Sequence, residues 1–179
     1  MLVIMFVFGM ENSSCADVLI AEQDLSSNIK RSAIFIPDPI ADGGWVVIPS
    51  FPVFSPPVDG RISSFYGWRK DPFLANVRFH RGVDISTAKG CKVLSSHDGI
   101  IQYAGWGDDC GLMVVVNHEY GFSSRYCHLS EVWVESGDWI TRGEDIGSVG
   151  DTGRATGPHL HFEIRLAGRS IDPAEVLGY

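Results

Sequence analysis

The chain has 179 residues, with 22 acidic against 14 Lys and Arg and a formal net charge of −8. That length holds one domain of ordinary size plus a smaller appendage, and a second large domain does not fit. An acidic balance with no block of Lys or Arg excludes nucleic-acid binding through an electrostatic footprint.

Residues 2–8 form a short apolar run, followed by polar residues 11–14. The run is too short to span a bilayer as a helix, so no transmembrane span is expected there, and it resembles the apolar region of a secretory signal. No Lys or Arg precedes it, but Ser14-Cys15-Ala16 supplies small residues for a cut after Ala16. Residues 1–16 are therefore expected to be a signal-like segment of a periplasmic or secreted protein. Two other readings stand beside this one: a lipid-modified Cys15, against which Asn12 replaces the usual lipobox Leu, and a true start further upstream. Residues 17–36 carry weak helical periodicity at Val18, Leu19, Ile20 and Leu25. Across residues 37–57 the prolines rule out a continuous helix or central strand. Trp45, Phe51 and Phe54 favour a strap lying on the domain over a free linker. Residues 17–57 thus read as an N-terminal extension ending in a Pro-rich strap, and residues 58–179 as the main domain.

From Val58 onward short apolar runs alternate with glycines, at residues 99–105, 112–116, 122–126, 139–140 and 146–150. Such spacing predicts many short antiparallel strands in a sandwich or barrel, with helix confined to one turn over residues 173–177. Within this region lie His80-Arg81-Gly82-Val83-Asp84 and, later, His159-Leu160-His161-Phe162-Glu163. Read as strands, each motif puts its polar residues on one face: His80, Gly82 and Asp84 in the first, His159 and His161, with Glu163, in the second. Gly82 leaves room for an ion, and Leu160, Phe162 and Ile164 turn into a core. Single matches of this kind arise by chance. Their combination with Tyr126-Cys127-His128-Leu129-Ser130 and with glycine-marked turns is far more specific, and it points to a metal site.

Together with Ser64-Phe65-Tyr66-Gly67-Trp68-Arg69, Gly143-Glu144-Asp145-Ile146-Gly147, Gly150-Asp151-Thr152-Gly153 and Thr156-Gly157-Pro158, these motifs resemble the lysostaphin and LytM type of zinc endopeptidase, enzymes that cut peptide bonds in bacterial peptidoglycan. The resemblance covers about residues 58–174 and leaves the N-terminal part outside. It implies a mainly β, two-sheet antiparallel sandwich of the duplicated hybrid motif type, with a groove over one sheet. It implies one catalytic zinc held by His80, Asp84 and His161, with water as the fourth ligand, and non-ligand roles near that water for His128 and His159. It also implies a peptidoglycan peptide as the partner.

Other residues have plainer readings. His97 is expected at a solvated turn and His118 at a strand end as a structural residue. Glu163 either orients a ligand histidine or forms a strand-end ion pair. Tyr66 and Trp68 either line the groove or pack the core, and Trp106 is expected to pack. Residues 70–76 would border the groove and influence substrate choice. Cys15, Cys91, Cys110 and Cys127 lack the paired spacing of a structural zinc site, and a disulfide among the last three suits an exported protein. Two further functions compete: a non-catalytic binder or activator of the same fold, which would lack ligands, and a biotinyl- or lipoyl-type carrier domain. The carrier would need a lysine within residues 134–149, and none is there.

Overall fold

The computed structural model describes residues 34–37, 45–48 and 52–177, except 73 and 75. The chain divides into two compact units, the first ending at Phe51. In the first, β1 (Ile34–Pro37) and β2 (Trp45–Ile48) pair antiparallel, with Ile34 opposite Ile48. This hairpin fits between the prolines, since β1 stops at Pro37 and β2 stops before Pro49. The signal-like segment and the weak helical periodicity of residues 17–33 lie outside the described residues.

The second unit begins at Pro52 and is mainly antiparallel β, as expected. Its strands are β3 (Arg61–Ser64), β4 (Gly67–Lys70), β5 (Val77–His80), β6 (Val83–Ser86), β7 (Lys92–Leu94), β8 (Gly99–Gly107) and β9 (Gly111–Asn117). β10 (Phe122–Val132), β11 (Trp139–Ile140), β12 (Asp145–Val149), β13 (His159–Leu166) and β14 (Arg169–Ile171) follow, and α1 (Pro173–Leu177) is the expected terminal turn. The main ladder runs β11-β8-β9-β10-β13-β6-β3, while β4 and β5 form a separate hairpin.

Besides its pairing with β9, β10 belongs to two further ladders. Its first half pairs with β13, ending at Cys127 opposite His161, and its second half pairs with β12 from Leu129 opposite Val149. His128 sits between the two ladders with φ of 65°, in the left-handed region that costs a non-glycine residue on the order of 1–3 kcal/mol. The pairing of β10 breaks there, and the imidazole lies beside those of His159 and His161.

Alternation divides the two faces of the main ladder. Val83 and Ile85, Val114 and Val116, Tyr126, and Leu160, Phe162 and Ile164 are all fully buried in the core, where Leu129, Ile146 and Val149 join them. Phe54 is buried in the same core, with its ring 5.8 Å from that of Phe122. On the opposite face Met113, Val115 and Cys127 form a small apolar pad. Strand register puts Cys127 beside His161 on that face, so the pad underlies the site.

Candidate metal centre and its groove

The first motif is not a single strand. His80 ends β5 in the small hairpin, the chain turns at Arg81-Gly82, and Asp84 lies on β6 of the main ladder. The role expected for Gly82 also changes. A Cβ there would overlap the Phe162 carbonyl oxygen, so glycine lets the turn press against β13 and makes no room for an ion. The second motif behaves as alternation predicts, with His161 directly opposite Asp84 and Leu160 and Phe162 in the core.

His80, Asp84 and His161 converge. His80 Nε2 lies 3.0 Å from Asp84 Oδ1 and 3.0 Å from His161 Nδ1, and His161 Nδ1 lies 2.8 Å from the same Oδ1. One donor atom from each residue falls within 4.8 Å of the others. The outer nitrogens determine what those atoms are. His80 Nδ1–H donates to the Phe65 carbonyl at 2.8 Å, which leaves a lone pair on Nε2. His161 Nε2–H donates to Glu163 Oε1 at 3.2 Å, which leaves a lone pair on Nδ1. With both rings neutral, three acceptors face one point and no donor answers them. Such a set is stable only around a cation, either a metal ion or a proton. Without a metal ion, a proton takes that place. Burial opposes a charge on His161, but the bonds to Asp84 and Glu163 together outweigh it and raise the ring to about 9. Burial likewise works against the Asp84 carboxylate, yet His161 and His80 hold it well below the usual range.

Surrounding groups hold this cluster in place. Arg69 Nη2 donates to Asp84 Oδ2 at 3.0 Å, leaving Oδ1 for the cluster. Glu163 accepts from His161 and also forms an ion pair with Arg165 at 2.7 Å, from the middle of β13 and not from a strand end. Burial would raise the Glu163 carboxyl, but His161, Arg165 and Arg125 lower it to about 2.

The two remaining histidines stand beside the cluster. His128 and His159 have ring centroids 4.7 Å apart, and His159 Nε2 is 3.8 Å from Asp84 Oδ1. Each gives its Nδ1–H to a carbonyl at 2.8 Å, His128 to Thr152 and His159 to Gly157. Each therefore keeps a lone pair on Nε2. Burial lowers His128 to about 4, so it is neutral at pH 7. Thr152 holds its own carbonyl in position, because its hydroxyl donates to the Leu129 carbonyl at 2.7 Å and accepts from Leu112 N–H at 3.0 Å. Phe65, Arg69 and Thr152 all fall inside quoted motifs, but nothing local in the sequence showed what each would hold.

The cluster lies in an open groove of about 1050 Å³. One wall is tied by charge: buried Asp71 pairs with Arg154 at 2.7 Å and Asp109 pairs with Arg78 at 3.4 Å. Asp71 also accepts from Leu74 N–H at 2.9 Å, and of the described residues in the 70–76 segment Asp71 and Pro72 line the groove. Trp68 lines the groove and is 73% exposed. Trp106 is 59% exposed and does not pack in the core as expected. Cys91, Cys110 and Cys127 are free thiols; the Cys127 thiol beside Cys110 lowers the latter, whereas that same neighbour and burial push Cys127 up. Among the described residues no helix is long and apolar enough to cross a membrane.

Residues 78–173 match peptidase family M23. The DD-carboxypeptidase/endopeptidase Mpg of Neisseria meningitidis is 41% identical over 121 residues, which are 68% of this chain and 28% of that protein. The peptidoglycan DD-endopeptidase ShyA of Vibrio cholerae is 39% identical over 119 residues, 65% of this chain and 28% of that protein. The chain thus spans less than a third of the length of these curated relatives. A crystal structure of a zinc containing peptidase from Vibrio cholerae superposes with a TM-score of 0.64 at 32% identity, over 80% of this chain and 45% of that one.

Proposed function

The chain belongs to peptidase family M23, and on that premise we propose that it is a zinc-dependent endopeptidase that hydrolyses peptide bonds in the stems or cross-bridges of bacterial cell-wall peptidoglycan. The observation that carries this reading is the meeting of one ring nitrogen each from His80 and His161 with a carboxylate oxygen of Asp84, an arrangement that needs a shared cation. Two imidazoles and one carboxylate are a donor set that suits zinc and leaves a coordination position open, as catalytic rather than structural sites do. The names of the curated relatives support the substrate class, and the zinc containing peptidase supports the metal. A peptidoglycan substrate places the protein at the cell envelope.

His80, Asp84 and His161 would hold the ion. When bound, zinc lowers the pKa of water toward about 7 and polarises a carbonyl. The protein's own groups do the rest. Arg69 and Glu163 keep Asp84 Oδ1 and His161 Nδ1 aimed at the centre, and Phe65 sets the tautomer of His80. His128 and His159 each engage a backbone carbonyl through Nδ1 and present Nε2 to the same space, so either can take the proton from the attacking water. The protonated ring then donates to the oxyanion or to the leaving amine. The groove admits an extended peptide between Trp68 and the wall braced by Asp71 and Arg154.

The presence of all three donors with their supporting bonds favours catalysis over a non-catalytic binder of this fold. Metal analysis and mass analysis of fragments released from purified peptidoglycan test the reading. One zinc per chain and new peptide termini, abolished by a chelator and restored by zinc, are expected. Metal-free protein after zinc loading, or peptidoglycan left uncut by the loaded protein, would overturn it.

A further inference from the structure

A second pocket next to the groove gathers positive charge that the described residues balance only at Arg165. In a protein of net charge −8, this pocket of about 360 Å³ is lined by Arg81, Arg165, Gly168, Arg169 and Ser170, three guanidinium groups and no acid. Most arginines nearby are held by carboxylates. Arg69 pairs with Asp84 at 3.0 Å, Arg78 with Asp109 at 3.4 Å, Arg154 with Asp71 at 2.7 Å, and Arg165 with Glu163 at 2.7 Å. Arg81 and Arg169 differ: among the described residues neither side chain has an ion-pair or hydrogen-bond partner, and both are exposed.

The pocket is built on rigid elements. Arg169 opens β14 immediately after a tight turn in which Ala167 and Gly168 have φ of 48° and 79°, the two-residue hairpin geometry that positions the next side chain firmly. Arg165 stands opposite Ser170 in the same hairpin, and the Ser170 carbonyl accepts from Tyr66 Oη at 2.9 Å. Arg81 directly follows His80 and lines both the pocket and the groove. Its Cα is one peptide unit, about 3.8 Å, from that of His80. The pocket thus shares Arg81 with the groove that contains the metal cluster.

Arg81 and Arg169 bring two like charges without a carboxylate partner into one pocket, and an anion relieves their repulsion. Guanidinium groups present paired N–H donors that match the two oxygens of a carboxylate. We propose that Arg81 and Arg169, backed by Arg165, form a carboxylate subsite that selects peptides bearing a free carboxylate within a residue or two of the bond offered to His80, Asp84 and His161. The proposal rests on the peptidase reading above and names its substrate class more narrowly. Arg165 takes the supporting part because Glu163, which braces His161, already holds it.

Binding tests this without turnover. Short synthetic peptide amides carrying one glutamate at successive positions, and their glutamine twins, are titrated by calorimetry into the zinc-loaded protein. The same titrations use an Arg81→Gln/Arg169→Gln double variant and Arg169→Lys, with zinc content and melting temperature measured alongside. For at least one glutamate position the wild type is expected to favour glutamate by about tenfold or more. The folded double variant with zinc retained should fall to within about twofold, and Arg169→Lys should keep part of the preference. Because a carboxylate can also ligate zinc, a preference that survives in the double variant overturns the subsite. Equal affinity for the twins at every position does the same, and inorganic phosphate binding more tightly than every glutamate peptide overturns a peptide occupant. A protein that shows the preference yet leaves peptidoglycan uncut refutes the endopeptidase reading alone, whereas one that cuts both twins with equal kcat/KM refutes the subsite alone.

Discussion

Two groups of histidines occupy this domain, and they differ in what their nitrogens face. In the core, the His97 and His118 rings stack 5.6 Å apart, with Phe54 edge-on to each. His118 Nδ1 lies 2.7 Å from the Asp98 carbonyl and Nε2 lies 2.7 Å from Ser124 Oγ, which in turn is 2.9 Å from Tyr126 Oη. Donors and acceptors match along that chain, so the histidine packs like any satisfied polar core residue. In the groove the outer nitrogens are satisfied in the same way, but the inner atoms of His80, Asp84 and His161 face only one another. A buried histidine is thus no sign of function by itself. Acceptors gathered without a donor are the sign, because desolvated lone pairs need a cation.

The contrast can be broken at either end. Exchanging His161 for Ala should abolish stoichiometric zinc and lower kcat/KM by about 10³-fold or more, since the ion supplies several kcal/mol at the reacting centre. Zinc retained by that variant would remove the distinction between the groups. His128→Ala should keep its zinc and lose about 10²- to 10⁴-fold in kcat, the range for a positioned acid-base group. Loss of metal there would make His128 a ligand instead.

The core group answers to pH through stability. Burial lowers His118 from 6.5 to about 4, so the unfolded chain binds the proton first as pH falls. Stability from this residue is complete above about pH 6.5 and is lost progressively down to about pH 4, on the order of 3 kcal/mol in all. Chemical denaturation across that window should show a decline that is shallower in His118→Gln, which keeps only the share of other buried groups such as His128. Parallel curves for the two proteins would mean that His118 is charged in the fold.

The smallest effect is expected one step outside the cluster. Glu163→Gln leaves all three donors but weakens the bond that orients His161, and zinc affinity measured by chelator competition should fall about 10- to 100-fold. An unchanged affinity would show that Glu163 serves only Arg165 and Arg125.

Much of the β framework was legible, because glycine-separated apolar runs are short and strands have a period of two. The alternation of Leu160, Phe162 and Ile164 against His159, His161 and Glu163 survives intact in β13. The same rule failed at His80 to Asp84, where a turn at Gly82 separates two sheets; a five-residue window does not distinguish a strand from a turn pressed against a distant backbone. Trp106 was misread because hydrophobic character alone does not assign a side chain to the core. His97 was expected at a solvated turn, yet it is half-buried against Phe54, a residue more than forty positions away.

Residue types and local periodicity belong to the sequence, and they sufficed for the strands, the motif histidines and the family resemblance. Which atom of each histidine carries a lone pair was decided only by the tertiary structure, because the Phe65, Thr152 and Gly157 carbonyls and Glu163 set the tautomers. The meeting of Arg81 with Arg169 was decided there too. Charges almost ninety residues apart become neighbours only when β13 and β14 fold back beside the turn after His80, and no local pattern records such a return.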